Sequence, residues 1–312
     1  MRSRLITAIR SLLRPNSDRL DALDGRFARV EGELQEIRAS LKKLFSATRQ
    51  IEPGLAAIVR RLALDPQSVP YPERLTAHRF RIDSQNDEDG ITLGLFDQIG
   101  VTNRKFVELG SGLSGGNSAF LANELGWTGL MVDGDADRMR QVARRFPRVT
   151  AVGAWITAEG VNGLIRQHGL AGEIDLLSID LDGNDYWVWK AIDACSPRVV
   201  IVEYNSIFGA DRAVTIPYDP KFDLRTHRFV YYGASLAALA RLAEQKGYRL
   251  VTTTPSGINA YFLRDDVGPE IPGCSPQRAY RMQRKYDVLI REKGLDIFKY
   301  VEEQGLGLVE VE

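Results

Sequence analysis

The 312-residue sequence predicts an α/β protein: a doubly wound, Rossmann-like sheet of seven mostly parallel strands that ends in an antiparallel hairpin, preceded by an N-terminal coiled-coil helix. Three observations predict this class. Short apolar segments alternate with helical segments. The first strand runs into a glycine-rich loop that opens a helix. The last two strand segments lie close together across a Pro-Ser-Gly turn.

Each predicted strand is short and apolar, and each is bounded by helical or turn segments. Five strands are predicted to be parallel, and they cover residues 106–109, 129–132, 149–156, 174–179 and 198–202. Helices are predicted over 89–99, 117–125, 138–145, 186–192 and 235–245. The hairpin strands cover 248–252 and 260–264. This alternation is typical of a parallel sheet covered by helices.

Composition and charge exclude several classes of protein. Lys and Arg total 41 and equal the 41 Asp and Glu, so no bulk charge favours a nucleic-acid partner. No apolar run reaches the roughly 18 residues of a membrane span. The arginine-bearing start predicts at most peripheral membrane contact. Cys195 and Cys274 cannot form a disulfide framework, so we expect a reducing, cytoplasmic location.

Apolar residues at alternating steps of three and four predict a parallel coiled coil near the start of the chain. The a positions are Leu20, Phe27, Leu34 and Leu41, and the d positions are Leu23, Val30, Ile37 and Leu44. The g–e pairs are opposite in charge, namely Arg19–Asp24, Arg26–Glu31 and Glu33–Arg38. Leucine at a with Val or Ile at d favours a trimer or tetramer. The alternative is an amphipathic helix folded onto its own domain.

Four regions follow from these patterns. Residues 1–50 form the helical oligomerisation segment, 51–79 a linker with a short helix, 80–268 the α/β domain and 269–312 a helical C-terminal tail. The proline-rich run LDPQSVPYP marks the linker.

The glycine loop reads FVELGSGLSGGNSAF, and Gly110, Gly112 and Gly115 match the dinucleotide pattern G-x-G-x-x-G. However, Glu108 precedes the first glycine by two residues. A carboxylate at that position disfavours a pyrophosphate and suits a cationic ligand such as an ammonium or a sulfonium. We therefore expect a cofactor other than NAD, although an NAD-dependent oxidoreductase is the rival enzyme.

The pattern [DE]-x-G-x-G on Glu108, Gly110 and Gly112 resembles the class I S-adenosylmethionine-dependent methyltransferases. Ser114 replaces the family's customary third glycine. The resemblance implies that S-adenosylmethionine binds this loop. It also implies further cofactor contacts: Asp133, with Asp135 as second candidate, for the ribose hydroxyls, Ala154 and Trp155 for adenine, and Asp180.

The segments SQNDEDG, GWTGLMVDGD, IDLLSIDLDGNDYWVWKAI, PRVVIVEYN and YYGASLAAL resemble the FkbM-like branch of these enzymes, over residues 80–266. This resemblance implies O-methylation of a hydroxyl on a sugar, glycan or natural product. The non-enzyme alternative is a cofactor-binding scaffold protein organised by its coiled coil.

Acidic residues end two neighbouring strands, and the carboxyl ends of parallel strands line the ligand crevice. Asp180, Glu203 and Asn205 resemble the magnesium ligands of metal-dependent O-methyltransferases, so a divalent cation such as Mg²⁺ is a candidate cofactor. Asp180 and Asp182 are candidate catalytic residues, and Asp182 is a ligand or a general base. The alternative is that these acids cap the next helix, as a first-turn carboxylate at Asp185 would.

His227 lies in a long loop after the fifth strand, where such enzymes place substrate-binding elements. It is a candidate general base, because a histidine titrates near neutral pH. The alternative is an exposed histidine with no role.

Overall fold

The computed structural model describes residues 69–312 apart from Arg228, together with five isolated positions nearer the start: Val30, Glu33, Gln35, Ile37 and Ser40. The chain divides into two compact units, Met1–Pro53 and Gly54–Glu312. In the first unit, the described positions are helical and exposed, and the two d positions Val30 and Ile37 are 50% and 54% exposed. The rest of the predicted coiled coil lies outside the described residues.

The second unit contains the predicted seven-stranded sheet. Its strands are β1 (Lys105–Leu109), β2 (Thr128–Asp133), β3 (Val149–Gly153), β4 (Gly172–Ile179), β5 (Cys195–Glu203), β7 (Tyr248–Thr253) and β8 (Asn259–Arg264). They are ordered β3-β2-β1-β4-β5-β8-β7, and only β8 runs antiparallel to its neighbours. The fold-class prediction is confirmed. The third strand ends at Gly153, earlier than predicted, so Ala154 and Trp155 follow it.

The helices cover both faces of the sheet. They are α1 (Glu73–Ala77), α2 (Glu88–Ile99), α3 (Ala119–Glu124), α4 (Ala136–Arg145), α5 (Val161–Gln167), α6 (Asp185–Ala191), α7 (Leu236–Gln245), α8 (Pro276–Ala279), α9 (Arg284–Lys293) and α10 (Ile297–Glu303). The helix predicted over 117–125 begins as a short 3-10 turn, Gly116–Ser118. Helix α5 is not predicted by the sequence pattern.

Within the described residues, no helix has both the length and the apolar character needed to span a bilayer.

Side chains alternate between the two faces of each strand, as the two-residue period requires. In β1, Val107 and Leu109 join one apolar core, whereas Phe106 joins the core on the opposite face. Glu108 therefore points into the same layer as Phe106, and this layer also contains α3. Glu108, the buried polar residue of β1, is thus directed beneath the glycine loop.

The C-terminal residues pack against the segment that follows β5. A two-stranded antiparallel sheet joins β6 (Val214–Thr215) to β9 (Val309–Glu310). A third apolar cluster combines residues from both segments, including Phe208, Val230 and Tyr232 with Tyr286 and Val301. The C-terminal segment is therefore part of the same compact unit as the sheet.

Candidate active site

Glu108 is completely buried beneath the glycine loop. Its Oε2 accepts hydrogen bonds from the backbone N–H of Ser118, at 2.9 Å, and from the Ser118 hydroxyl. Its Oε1 has no hydrogen-bond partner. Burial raises the pKa of Glu108 to about 7. The predicted direct contact between Glu108 and a cationic ligand is therefore wrong. The carboxyl group instead holds the glycine loop from beneath through its hydrogen bonds with Ser118.

The two adjacent glycines of the loop are explained by what lies under them. Both have positive φ, +92° at Gly115 and +62° at Gly116, which favours glycine. A Cβ at Gly115 would lie 2.6 Å from the Phe146 ring, and one at Gly116 would lie 2.2 Å from Oε1 of Glu108. The displaced third glycine and its neighbour are thus required by the core and by the buried carboxyl group.

The outer face of the loop is open. A Cβ at Gly112 would have no atom within 4 Å, and Ser114 is half-buried in the same turn. Gly110 sits against the backbone of Asp180, which brings the loop next to the end of β4. The loop therefore offers a free surface between the ends of β2 and β4.

Asp133 ends β2 beside this open face. Its Oδ2 accepts from the Gly112 N–H at 3.0 Å and its Oδ1 from the Asp135 N–H at 2.9 Å. Each carboxylate oxygen has two lone pairs, so both can accept a further donor such as a ribose hydroxyl. Asp135 instead caps α4, since its Oδ1 accepts from the N–H groups of Asp137 and Arg138. The geometry therefore favours Asp133 over Asp135 as the ribose acceptor.

Ala154 and Trp155 follow β3 at the same edge of the sheet. The Trp155 side chain is 64% exposed, so it is not a core residue. Its indole N–H donates to the carbonyl of Pro220 at 2.6 Å, and the ring lies close to Gly134. Both residues also line a cavity of about 310 Å³ that extends to Thr157 and Gln167. An exposed aromatic face next to Asp133 is suited to stacking on a planar base.

Asp180, Asp182 and Glu203 come together at the ends of β4 and β5, with one carboxylate oxygen from each lying within 4.8 Å of the others. Glu203 is 8% exposed, and its Oε2 has no hydrogen-bond partner. Asp180 is half-buried. Desolvation, followed by repulsion from the neighbouring acids, raises the pKa values of Asp180 and Glu203 well above their ordinary range, and the two carboxyl groups also share a hydrogen bond. A divalent cation is the kind of ligand that relieves such crowding.

The loop that carries Asp182 is held in an uncommon conformation. Asp182 has φ of +55°, in the left-handed region that non-glycine residues rarely adopt. The buried Asp185 carboxylate accepts from the N–H of Leu181 at 2.8 Å and from that of Gly183 at 3.0 Å. Asp185 lies in the first turn of α6, as the alternative interpretation expected, but the N-cap residue is Asn184. The Asp185 carboxylate instead holds the backbone on both sides of Asp182.

The prediction that Asn205 is a metal ligand is wrong. Asn205 is fully buried, and its amide nitrogen donates to the carbonyls of Val230, at 2.9 Å, and Tyr232, at 3.0 Å. Its amide oxygen accepts from the Ile207 N–H. The side chain ties the returning loop to the end of β5, and both ends of its buried amide group are bound to backbone partners.

His227 ends a 3-10 turn, Leu224–His227, in the loop after β5. Its ring stacks on Phe222 at a centroid distance of 5.1 Å, and Phe222 packs against Gly183, next to Asp182. The Phe222 ring therefore lies between His227 and the loop that carries Asp182, and His227 does not contact the carboxylates.

Sequence reasoning missed three residues that lie around the acid cluster. The hydroxyl of Tyr232 donates to Glu203 at 3.3 Å, and that of Tyr286 lies 3.2 Å from the Tyr232 hydroxyl. Desolvation by the surrounding groups raises the pKa of Asp182, and the positive charge of Lys285 opposes this rise. Tyr286 and Lys285 belong to the C-terminal segment, so only long-range packing brings them here.

No protein-family model matches the sequence, and no curated protein matches it. Among solved structures, the chain is similar to a TehB-like SAM-dependent methyltransferase from Corynebacterium glutamicum, with 14% identity over 55% of this chain and 85% of that one and a TM-score of 0.34. It is also similar to an O-methyltransferase from Bacillus cereus in complex with SAH, with 17% identity over 68% and 96% and a TM-score of 0.38.

A third similar structure is NcsB1, an O-methyltransferase from neocarzinostatin biosynthesis, with 21% identity and a TM-score of 0.32. The match covers 52% of this chain and 49% of NcsB1. These likenesses are distant, so the fold assignment rests on the strand order and register of the sheet.

Proposed function

We propose that this protein is an S-adenosylmethionine-dependent O-methyltransferase that acts on a hydroxyl of a sugar, glycan or natural product. One observation carries the proposal: Asp133 at the end of β2 and the cluster of Asp180, Asp182 and Glu203 at the ends of β4 and β5 flank the open glycine loop that follows β1, the strand between β2 and β4. This arrangement places two groups in a single crevice at the carboxyl edge of the sheet. One is an acceptor for a ribose diol, and the other is an acid cluster that can bind the substrate hydroxyl and take its proton.

The residues present fit the cofactor. The open face of the loop at Gly112 and Ser114, the Asp133 carboxylate and the exposed Trp155 ring would hold S-adenosylmethionine. When bound, S-adenosylmethionine supplies the methyl group and is converted to S-adenosylhomocysteine. Asp133 accepts hydroxyl donors, and Trp155 offers an aromatic face.

The acid cluster fits a divalent cation such as Mg²⁺, which Asp180, Asp182 and Glu203 would hold. A buried carboxylate oxygen without a donor is costly, and the Oε2 of Glu203 is such an atom. When bound, the cation lowers the pKa of the acceptor hydroxyl and orients it. Asp182, exposed at the mouth, is either the third ligand of the cation or the group that receives the hydroxyl proton, and His227 is the second candidate for that proton.

The experiment is methyl transfer from labelled S-adenosylmethionine to a panel of glycans and hydroxylated natural products, with and without a chelator. We expect transfer that the chelator abolishes and Mg²⁺ restores. Asp180→Asn should lower the rate by about 100-fold or more, whereas Asp193→Asn, at an exposed acid paired with Arg166, should not. Transfer that continues undiminished with the chelator would exclude the metal.

A further inference from the structure

One buried side chain of the C-terminal segment lies next to a residue that contacts the acid cluster. Tyr286 of α9 is fully buried, and its hydroxyl lies 3.0 Å from the carbonyl of Phe229 and 3.2 Å from the hydroxyl of Tyr232. Buried hydroxyl groups that have definite partners hold their neighbours in place. Tyr286 is therefore fixed against the loop after β5 at a defined position.

Tyr232 connects Tyr286 to the acids. Its side chain is 1% exposed, and its hydroxyl donates to Oε1 of Glu203 at 3.3 Å. The same carboxyl group has a second oxygen, Oε2, that is buried without a partner. The Tyr232 hydroxyl therefore occupies Oε1 of Glu203, and Oε2 is directed toward the other acids of the cluster.

Lys285 places a charge beside the same phenols. Its Nζ lies 4.6 Å from the centroid of the Tyr286 ring and 5.9 Å from that of Tyr232. Lys285 and Tyr286 are consecutive residues of α9, and both contact Tyr232. Tyr286 does so through its hydroxyl and Lys285 through a cation–π interaction.

We propose that Tyr286 is a positioning residue of the acid cluster, acting through Tyr232 to hold Glu203 with Oε2 free for the metal. The proposal rests on the proposed function in one respect, the use of Glu203 as a metal ligand. Outer partners of metal ligands fix the orientation of those ligands, and their loss weakens metal binding by about 10- to 100-fold. The C-terminal segment is then part of the active site and not an appendage.

The test compares Tyr286→Phe with Tyr231→Phe in the full-length chain. Tyr286→Phe removes one hydroxyl and keeps the ring. Tyr231→Phe removes a similar buried hydroxyl that also joins the loop to the C-terminal segment, through the carbonyl of Gly307, but has no contact with the acids. The segment stays attached through β6 and β9 in both variants.

The readout is the side-chain carboxyl resonance of Glu203 in protein labelled with ¹³C at the glutamate carboxyl groups, identified by its loss in Glu203→Gln. We expect Tyr286→Phe and Tyr232→Phe to shift this resonance and Tyr231→Phe to leave it in place. Titration with MnCl₂ alone should then show affinity about 10-fold weaker in Tyr286→Phe than in the wild type. Melting curves of each variant establish that it is folded.

A Glu203 resonance that is unchanged in both Tyr286→Phe and Tyr232→Phe would overturn the proposal. Equal Mn²⁺ affinity in Tyr286→Phe and the wild type would also overturn it. If the wild type binds no Mn²⁺, the proposed metal role fails by itself, and the carboxyl resonance still decides whether Tyr286 positions Glu203. Calorimetry with S-adenosylmethionine on the same samples tests the methyltransferase proposal separately.

Discussion

At the scale of single residues, the buried polar network under the glycine loop explains the local sequence. Glu108 of β1 lies beside Ser178 of β4 in the sheet register. Asn117 donates to the Ser178 hydroxyl at 3.0 Å, and Ser118 donates to Glu108. The start of the helix is thereby tied to two central strands. Glu108, which lies outside the glycine pattern, therefore holds the loop in place and is not a ligand contact.

Gly116→Ala should cost more stability than Gly112→Ala, although both residues have similar positive φ values, +62° and +56°. The left-handed conformation costs about 1–2 kcal/mol in each alanine variant. Only the new methyl group at residue 116 meets Glu108, so we expect this variant to lose at least about 2 kcal/mol more. Urea denaturation measures both losses, and equal values would contradict the close contact.

The pH dependence of stability should report the Glu108 carboxyl group. Burial raises its pKa from 4.5 to about 7, so the folded protein retains a proton that the unfolded chain releases between these values. The stability that this proton confers is present below pH 4.5 and is lost as the pH rises through about 7. Glu108→Gln should therefore lose less stability than the wild type over this range, by up to about 3 kcal/mol.

Denaturation of the wild type and Glu108→Gln at several pH values between about 4.5 and 8 measures this difference. The other buried acids are present in both proteins, so their contributions cancel in the comparison. Parallel curves for the two proteins would show that folding does not raise the pKa of Glu108.

At the scale of elements, the second residue after β5, Asn205, binds the two ends of the loop between β5 and α7. Asn205 donates to two carbonyls of the returning chain and accepts from the 3-10 turn Ser206–Phe208. Tyr204 adds a second anchor, since its hydroxyl bonds to the carbonyl of Arg281 at 2.7 Å. This short stretch therefore joins the sheet, the long loop and the C-terminal segment.

Asn205→Asp should destabilise the protein by about 2–4 kcal/mol, because it replaces two buried amide hydrogen bonds with a carboxylate facing carbonyl oxygens. Added Mg²⁺ should not restore this loss. Asn103→Asp, whose amide donates to an exposed carbonyl, should lose less than about 1 kcal/mol. If Mg²⁺ rescued Asn205→Asp, the residue would lie at the metal site after all.

The strands and the hairpin could be predicted because each is a short apolar run between turn signals, and strand order in a doubly wound sheet brings Asp180 and Glu203 together. Glu108 and Asn205 were assigned wrongly for one reason. Their residue types suit ligands, but their partners are the N–H and hydroxyl of Ser118 for Glu108 and backbone groups for Asn205. The sequence does not reveal where these partners lie. Tyr286 could not be found from the pattern, because its role depends on how the C-terminal segment folds back.

At the scale of the whole molecule, the two units Met1–Pro53 and Gly54–Glu312 divide the chain between a heptad pattern and an α/β domain. The heptads carry opposite charges at all three g–e pairs, a pattern that supports parallel self-association. We propose that the first unit assembles copies of the chain into a trimer or tetramer, which would present several domains to one polymeric acceptor.

Deletion of residues 1–50 tests this assembly by light scattering. The full-length chain should have three or four times the 34.9 kDa monomer mass, and the shortened chain should be monomeric. An oligomer that survives the deletion would place the interface elsewhere. The deletion should leave S-adenosylmethionine binding unchanged.

The central claim is that the glycine loop and Asp133 hold S-adenosylmethionine, and isothermal titration calorimetry with S-adenosylmethionine and with NADH tests it most directly. We predict that the wild type binds S-adenosylmethionine and not NADH. Asp133→Ala should weaken binding by about 10- to 100-fold, since it removes hydrogen bonds to a charged group. Asp135→Ala, which removes a helix cap and an exposed ion pair with Arg138, should bind like the wild type. Tight binding of NADH without S-adenosylmethionine would contradict the account.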